Sequence, residues 1–267
     1  MGQTFELTRV LIVVKTYPHP SVNHLETVCT AGVAGSSKWV RLFPVPFRYL
    51  PPLQQYEKYQ WIEIGLRPFG YGNDMRPESR EPDCRTIRPL GEPLATVDGW
   101  RQRREVIDRL PHHTMRELDD LYEKRRVSLG VVRPSRVLDV RVSEEDRDWS
   151  PKQKHALAQR PLFVERKPLR KLPYRFHYAF QCKDSSDTYT KAIEDWELGT
   201  LFWKEVDRLG SERAAADSVR SKFLNELCRE DKDTRFFMGT RHPFNEWLVL
   251  GVFWPPKPVE RQPRLFQ

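Results

Sequence analysis

The chain has 267 residues, of which 39% are hydrophobic and 31% charged, a balance that fits one large or two small globular domains and excludes a disordered chain. Its 45 Lys and Arg against 37 Asp and Glu give a formal charge of +8, which favours a polyanionic partner. No run approaches the ~20 apolar residues a membrane-spanning helix needs, so no membrane partner is expected.

Four scattered cysteines, Cys29, Cys84, Cys182 and Cys228, form no CxxC pair, which argues for reduced thiols in a cytoplasmic protein. The opening MGQTFELTRV carries no basic region followed by an apolar signal core.

Strands are predicted first. TRVLIVVKTY (8–17) is rich in β-branched residues, ETVCTAGV (26–33) and KWVRLFPV (38–45) flank the turn residues Gly35, Ser36 and Ser37, and KYQWIEIGLRPF (58–69) alternates. CRTIRPL (84–90) is a weaker fifth strand. Five short strands without a long helix suggest a small β-barrel, and Pro44 and Pro46 end the third strand or hold it at an edge. A basic helix over 98–110 and a second one after the capping box Thr114-Met-Arg-Glu117 form a helical connector, 97–127.

A second β-rich unit follows. VVRPSRVLDVRV (131–142) is a strand interrupted by Pro134, and Ser150-Pro151 opens a short helix to about residue 159. In YRFHYAFQC (174–182), Tyr174, Phe176, Tyr178 and Phe180 share one face. Leu198, Leu201, Phe202, Val206 and Leu209 follow helical spacing, as do Ala215, Val219, Phe223 and Leu227 after Gly210 and Ser211. TRFFMGTR (234–241) and EWLVLGVFW (246–254) close the order. An OB-like barrel has its helix between its third and fourth strands, which this order matches if residues 186–193 supply the third.

Candidate ligand contacts are cationic. From Pro151 to Arg175 run Lys152, Lys154, Arg160, Arg166, Lys167, Arg170, Lys171 and Arg175 against one acid, Glu165. Such a stretch suits a polyanion or simply forms a solvated loop. Around the first barrel, Lys15, Arg41 and Arg48 are assigned to phosphate contact, while Trp39 and Phe43 are assigned to the core. Arg76 and Arg80 in DMRPESR (74–80) are held in a Pro-rich loop, where the alternative is that its charges pair with one another.

Asp148, Glu165 and Lys167 match the minimal acid and E-x-K pattern of Mg²⁺-dependent nucleases, with the carboxylates holding the metal and the lysine supporting the water. A basic loop explains the same residues. Glu194, Asp195 and Glu197 at a helix start are read as capping charges. Adjacent His112 and His113 do not face one ligand. No phosphate-binding glycine loop, nucleophile elbow or HExxH motif is present, and neither a cofactor nor a metal is expected.

"VVKTYP" and "VCTAGV…KWVRLFPVPFR" resemble the opening of bacterial proteins with a dual OB-containing domain. Cys29, Ala31, Gly32, Trp39 and Arg41 match a Cys-x-Ala-Gly strand followed by a Trp-hydrophobic-Arg strand. The family commonly has Pro directly after that Arg, where this chain has Leu42-Phe43-Pro44. "DMRPES", "FQCKD…IEDWELG" and "FFMGTR…VLGVFWPP" look like later blocks of largely uncharacterised proteins from mobile-element or antiviral defence neighbourhoods. Some relatives carry Cys and His after the position of Cys182, where this chain has Ser185, Ser186, Asp187 and Thr188, so the resemblance implies no metal here.

The expectation is an α+β, mainly β chain of two OB-like small barrels connected and covered by helices. The units are 1–96, the connector 97–127, and 128–267. Its expected function is non-catalytic binding of single-stranded or distorted DNA or RNA through Lys15, Arg41, Arg48, Arg76, Arg80, Arg166, Lys167, Arg170 and Lys171. The resemblance implies an accessory place in a bacterial defence or mobile-element system, with a protein partner. The alternatives are the Asp148/Glu165/Lys167 nuclease and a protein-interaction scaffold presenting WPPKP (254–258) to a partner.

Overall fold

Residues 10–14, VLIVV, carry no alternating polar residue, the pattern of a strand covered on both faces. In the computed structural model, which describes residues 5–21, 25–35, 37–70, 74–158, 168–241 and 245–258, this run lies within β1 (Glu6–Lys15). Val10 and Ile12 enter one core with Val28, Leu42, Ile62 and Ile64. Leu11 and Val13 enter another.

Around β1 stand β2 (His19–Ser21), β3 (Leu25–Ala34), β4 (Lys38–Val45), β5 (Trp61–Leu66), β6 (Ser79–Arg80) and β7 (Pro82–Leu90). The sheet order is β6-β4-β3-β1-β5-β7, with β2 added on β3. Only Glu81 separates β6 from β7, so one extended stretch first lies parallel to β4 and then antiparallel to β5. Gly32 faces Ile12 across β1 and β3. A Cβ there would lie 2.3 Å from the Leu11 carbonyl oxygen, so this close approach requires glycine.

The chain continues through α1 (Val97–Ile107), β8 (His112–His113), α2 (Met115–Arg125), β9 (Leu129–Val132), β10 (Arg136–Glu144) and α3 (Pro151–Ala158). After these come β11 (Tyr174–Cys182), β12 (Ser185–Ala192), α4 (Trp196–Leu209), α5 (Glu212–Ser221), β13 (Arg235–Arg241) and β14 (Glu246–Phe253). They make a three-stranded sheet, β10-β11-β12, and a four-stranded one, β14-β13-β9-β8. A parallel bridge between Ile193 and Val249 links the end of β12 to β14. Tyr174, Phe176, Tyr178 and Phe180 share the inner face and pack with Phe202, Val219 and Phe236. With 42% strand and 28% helix, the fold is α+β and mainly β.

Local expectations are sharpened. The two helices expected in 97–127 are α1 and α2, and the link between them is not helical. Pro111 cannot continue a helix and Thr114 caps the next one, so the two histidines between them pair in parallel with Val131 and Val132. Residues 131–142 form parts of two strands, because Pro134 interrupts the ladder.

The WPPKP stretch is not a free proline-rich tail either. Asp233 N–H donates to the Pro255 carbonyl, Lys257 N–H to that of Asp231, and Arg104 Nη2 to that of Pro256.

The second core joins the two halves. Leu11, Val13, Ala31 and Val33 from the first sheet pack with Leu129, Val131, Phe237, Leu248 and Leu250 from the four-stranded sheet. Trp39 meets Phe237 edge-on at 5.9 Å. The β1-β3-β4 face is therefore sealed by the other half of the chain.

Candidate nucleic-acid interface

That sealing decides the fate of several predicted contacts. Arg41 is 1% exposed. Its Nη1 donates to Cys29 Sγ at 3.1 Å and its Nη2 to the Ser128 carbonyl at 2.9 Å. Ser128 in turn donates through its N–H and Oγ to the Glu78 carboxylate. Arg41 is a bolt between the halves and not a phosphate contact.

Lys15 is 7% exposed. Its Nζ lies 4.1 Å from the Phe47 ring centroid and 4.5 Å from that of Trp196, and it donates to the Tyr56 carbonyl. Burial and the nearby Lys58 ammonium push its pKa down to about 8. The sequence places both cations on strands, but nothing local in it shows what covers a strand face.

The other arginines predicted in the first half are also engaged. Arg48 pairs at 3.0 Å with Glu26, whose side chain is buried. Arg76 grips Asp74 and sends Nη1 to the Thr240 carbonyl at 2.8 Å. Arg80 donates to the Pro77 and Ser79 carbonyls and rests 5.4 Å from the Phe69 ring centroid.

The basic stretch Pro151–Arg175 has a different setting. Up to Pro173 it belongs to the long crossing between β10 and β11, and its helix α3 packs against β2 and β3 of the first half. The Arg170 guanidinium stacks 3.5 Å from the Trp203 ring centroid and sits 3.6 Å from Asp207. Lys171 Nζ donates to the Asp148 carbonyl at 3.0 Å, and Arg175 lies 3.5 Å from Glu145.

Arg166, Lys167 and Glu165 fall outside the described residues. Of the nuclease set only Asp148 is described, on the surface and paired with Lys154 at 3.1 Å. No group of three or more His, Cys, Asp or Glu that could hold a metal occurs among the described residues.

The crossing meets the first half at Tyr17. The Tyr17 hydroxyl donates to the Arg170 carbonyl at 2.9 Å and accepts from Trp203 Nε1 at 3.0 Å. Burial raises the phenol's pKa, while the Trp203 hydrogen bond and the Arg48 and Arg170 charges pull it the other way.

Next to it, His19 Nε2 lies 2.9 Å from Glu194 Oε2. Burial disfavours the imidazolium, but Glu194 outweighs it and holds the His19 pKa above its ordinary value. Arg175 and Arg241 act on the same Glu194 carboxylate.

Asp195 is the helix cap the sequence suggests, accepting from Glu197 N–H at 3.0 Å. It also takes the buried Lys58 ammonium at 3.0 Å, and Glu197 takes it too. That second role escapes a sequence reading because Lys58 belongs to the other half.

A family model for a domain of unknown function, DUF8757, matches residues 111–267, more than half of the chain. The chain belongs to the DUF8757 family. A second domain of unknown function, DUF8758, matches residues 6–109. No curated protein matches the chain. The site straddles the two matches. Lys15, Tyr17, His19 and Lys58 lie in the DUF8758 part, and Arg170, Glu194, Asp195 and Trp203 in the DUF8757 part.

Proposed function

We propose that this DUF8757 protein is a non-catalytic nucleic-acid-binding protein built from two OB-like barrels. Single-stranded or distorted DNA or RNA runs along the basic crossing between β10 and β11.

The barrel reading draws support from strand pairing. A first strand broken at Pro134, β9 plus β10, pairs with both β11 and β13, and β12 meets β14 in parallel across α4 and α5. The first half repeats this order with β1, β3, β4, β5 and the joined β6–β7. In OB-folds the oligonucleotide lies on the strand 2–3 face, flanked by the loop between strands one and two and that between strands four and five. The corresponding face of the first barrel is covered, which leaves the second.

The observation that carries the reading is where the basic stretch falls. It joins the first and second strands of the second barrel. Lys154 of α3, Arg170 and, at the start of β11, Arg175 pair with Asp148, Asp207 and Glu145, whose side chains are 85%, 72% and 36% exposed. Such pairs contribute at most about 1 kcal/mol, so phosphates can replace the acids.

The test is fluorescence anisotropy with labelled single-stranded DNA and RNA over a salt series. Log affinity should fall linearly with log salt concentration. Absence of binding at low salt, or binding indifferent to salt, removes the proposal.

A further inference from the structure

A separate feature lies along the outer edge of β10, whose last residue leads into the basic crossing. Among the described residues β10 ends its three-stranded sheet and pairs with β11 only. Glu145 N–H donates to the Pro173 carbonyl, so this residue turns its backbone toward the β11 side. Backbone groups alternate along a strand, so those of Val140, Val142 and Glu144 point the other way. Arg220 confirms the parity, since its Nε donates to the Val140 carbonyl at 2.9 Å.

These outward groups do not meet a packed neighbour along their whole length. A cleft of about 460 Å³ separates the β10 edge from α5, with Val140, Val142, Glu144 and Tyr174 on one wall and Arg213 and Asp217 on the other. We propose that this edge takes an extended peptide from a partner protein as an added strand, seated between β10 and α5.

Two observations choose a peptide over a polyanion. The charged side chains lining the cleft cancel, Arg141, Arg213 and Arg220 against Asp139, Glu144 and Asp217, so a phosphate chain gains no net attraction there. A row of outward N–H and C=O groups beside a helix matches the recognition mode in which main-chain hydrogen bonds supply affinity and alternate side chains supply specificity. Exposed charges such as Arg141 and Glu144 also discourage two bare edges from pairing with each other, which disfavours a second copy as the occupant. The proposal does not depend on nucleic-acid binding.

The probe is a displayed library of short random peptides selected on the full chain. Val142→Pro deletes the N–H aimed into the middle of the cleft, at a strand edge where proline is tolerated. Selected peptides should bind this variant at least about tenfold more weakly by calorimetry. They should also slow hydrogen exchange of the Val142 and Glu144 amides in the unmodified chain. If Val142→Pro does not fold, the exchange measurement decides alone.

Three results overturn the idea. One is a selection that yields no binder, and another is binders that leave both amides unprotected or ignore the proline. The third is a dimer of the unmodified chain that the proline abolishes, which would assign the edge to a second copy.

Discussion

The Tyr17 ring lies directly on Gly199 in the first turns of α4. A Cβ at position 199 would sit 2.1 Å from Tyr17 Cδ2, and the same tyrosine's hydroxyl links Arg170 to Trp203. Glycine within a helix costs roughly 1 kcal/mol relative to alanine, and here it permits the contact between the two halves.

Gly199→Ala should therefore destabilise the protein by about 1–3 kcal/mol despite the better helix former, because overpacking outweighs propensity. In a Tyr17→Ala background the same change should become neutral or stabilising. Urea denaturation of the four chains measures this, and a loss that survives without the tyrosine ring would refute the contact as its cause.

Lys15 makes stability depend on alkaline pH. Its pKa is about 8 in the folded chain against an ordinary 10.5, so between these values the unfolded chain binds more protons and stability rises with pH. The gain is on the order of 3 kcal/mol at most. Lys15→Met should flatten this slope, and denaturation midpoints from pH 8 upward will show whether it does.

His19 acts in the opposite sense at neutral pH. Its folded pKa is raised by Glu194, so the contact's contribution is complete below about 6.5 and fades as pH rises through the folded value. His19→Asn or Glu194→Gln should remove that decline from melting temperatures taken between mild acid and mild alkali. A decline unchanged in both variants would assign it elsewhere.

Arg41 and the lysines of the crossing should separate stability from binding. Arg41→Met breaks a buried network and should cost about 2–4 kcal/mol with the salt slope of oligonucleotide binding unchanged. Lys152→Ala with Lys171→Ala should leave stability nearly intact and lower that slope by up to about 2. Equal slopes in both variants would place the nucleic acid on another surface.

Much of the fold was legible because it is written in local patterns. YRFHYAFQC alternates and is β11 over its full length, and Thr114 with Glu117 forms the expected capping box. The candidate site was legible only in part, because its residues meet across the two halves. KWVRLFPV shows Trp39 and Arg41 on one strand face, but not that Phe237 and Ser128 cover it.

Trp100 illustrates the same limit. Asp98 and Trp100 adopt φ of +51° and +65°, a conformation that side chains other than glycine's normally avoid. The reason is distant in sequence: the turn delivers Trp100 to Tyr59, Phe253 and Trp254.

The two-sided burial of β1 bears on how this molecule can be handled. Cutting the chain at residue 110 would strip Leu11, Val13, Ala31 and Val33 of their cover on one fragment, and Leu129, Val131, Phe237 and Leu250 on the other. Each piece would then carry an oily wall fit for clumping. The DUF8758 and DUF8757 regions are thus better cloned as one body than as separable modules.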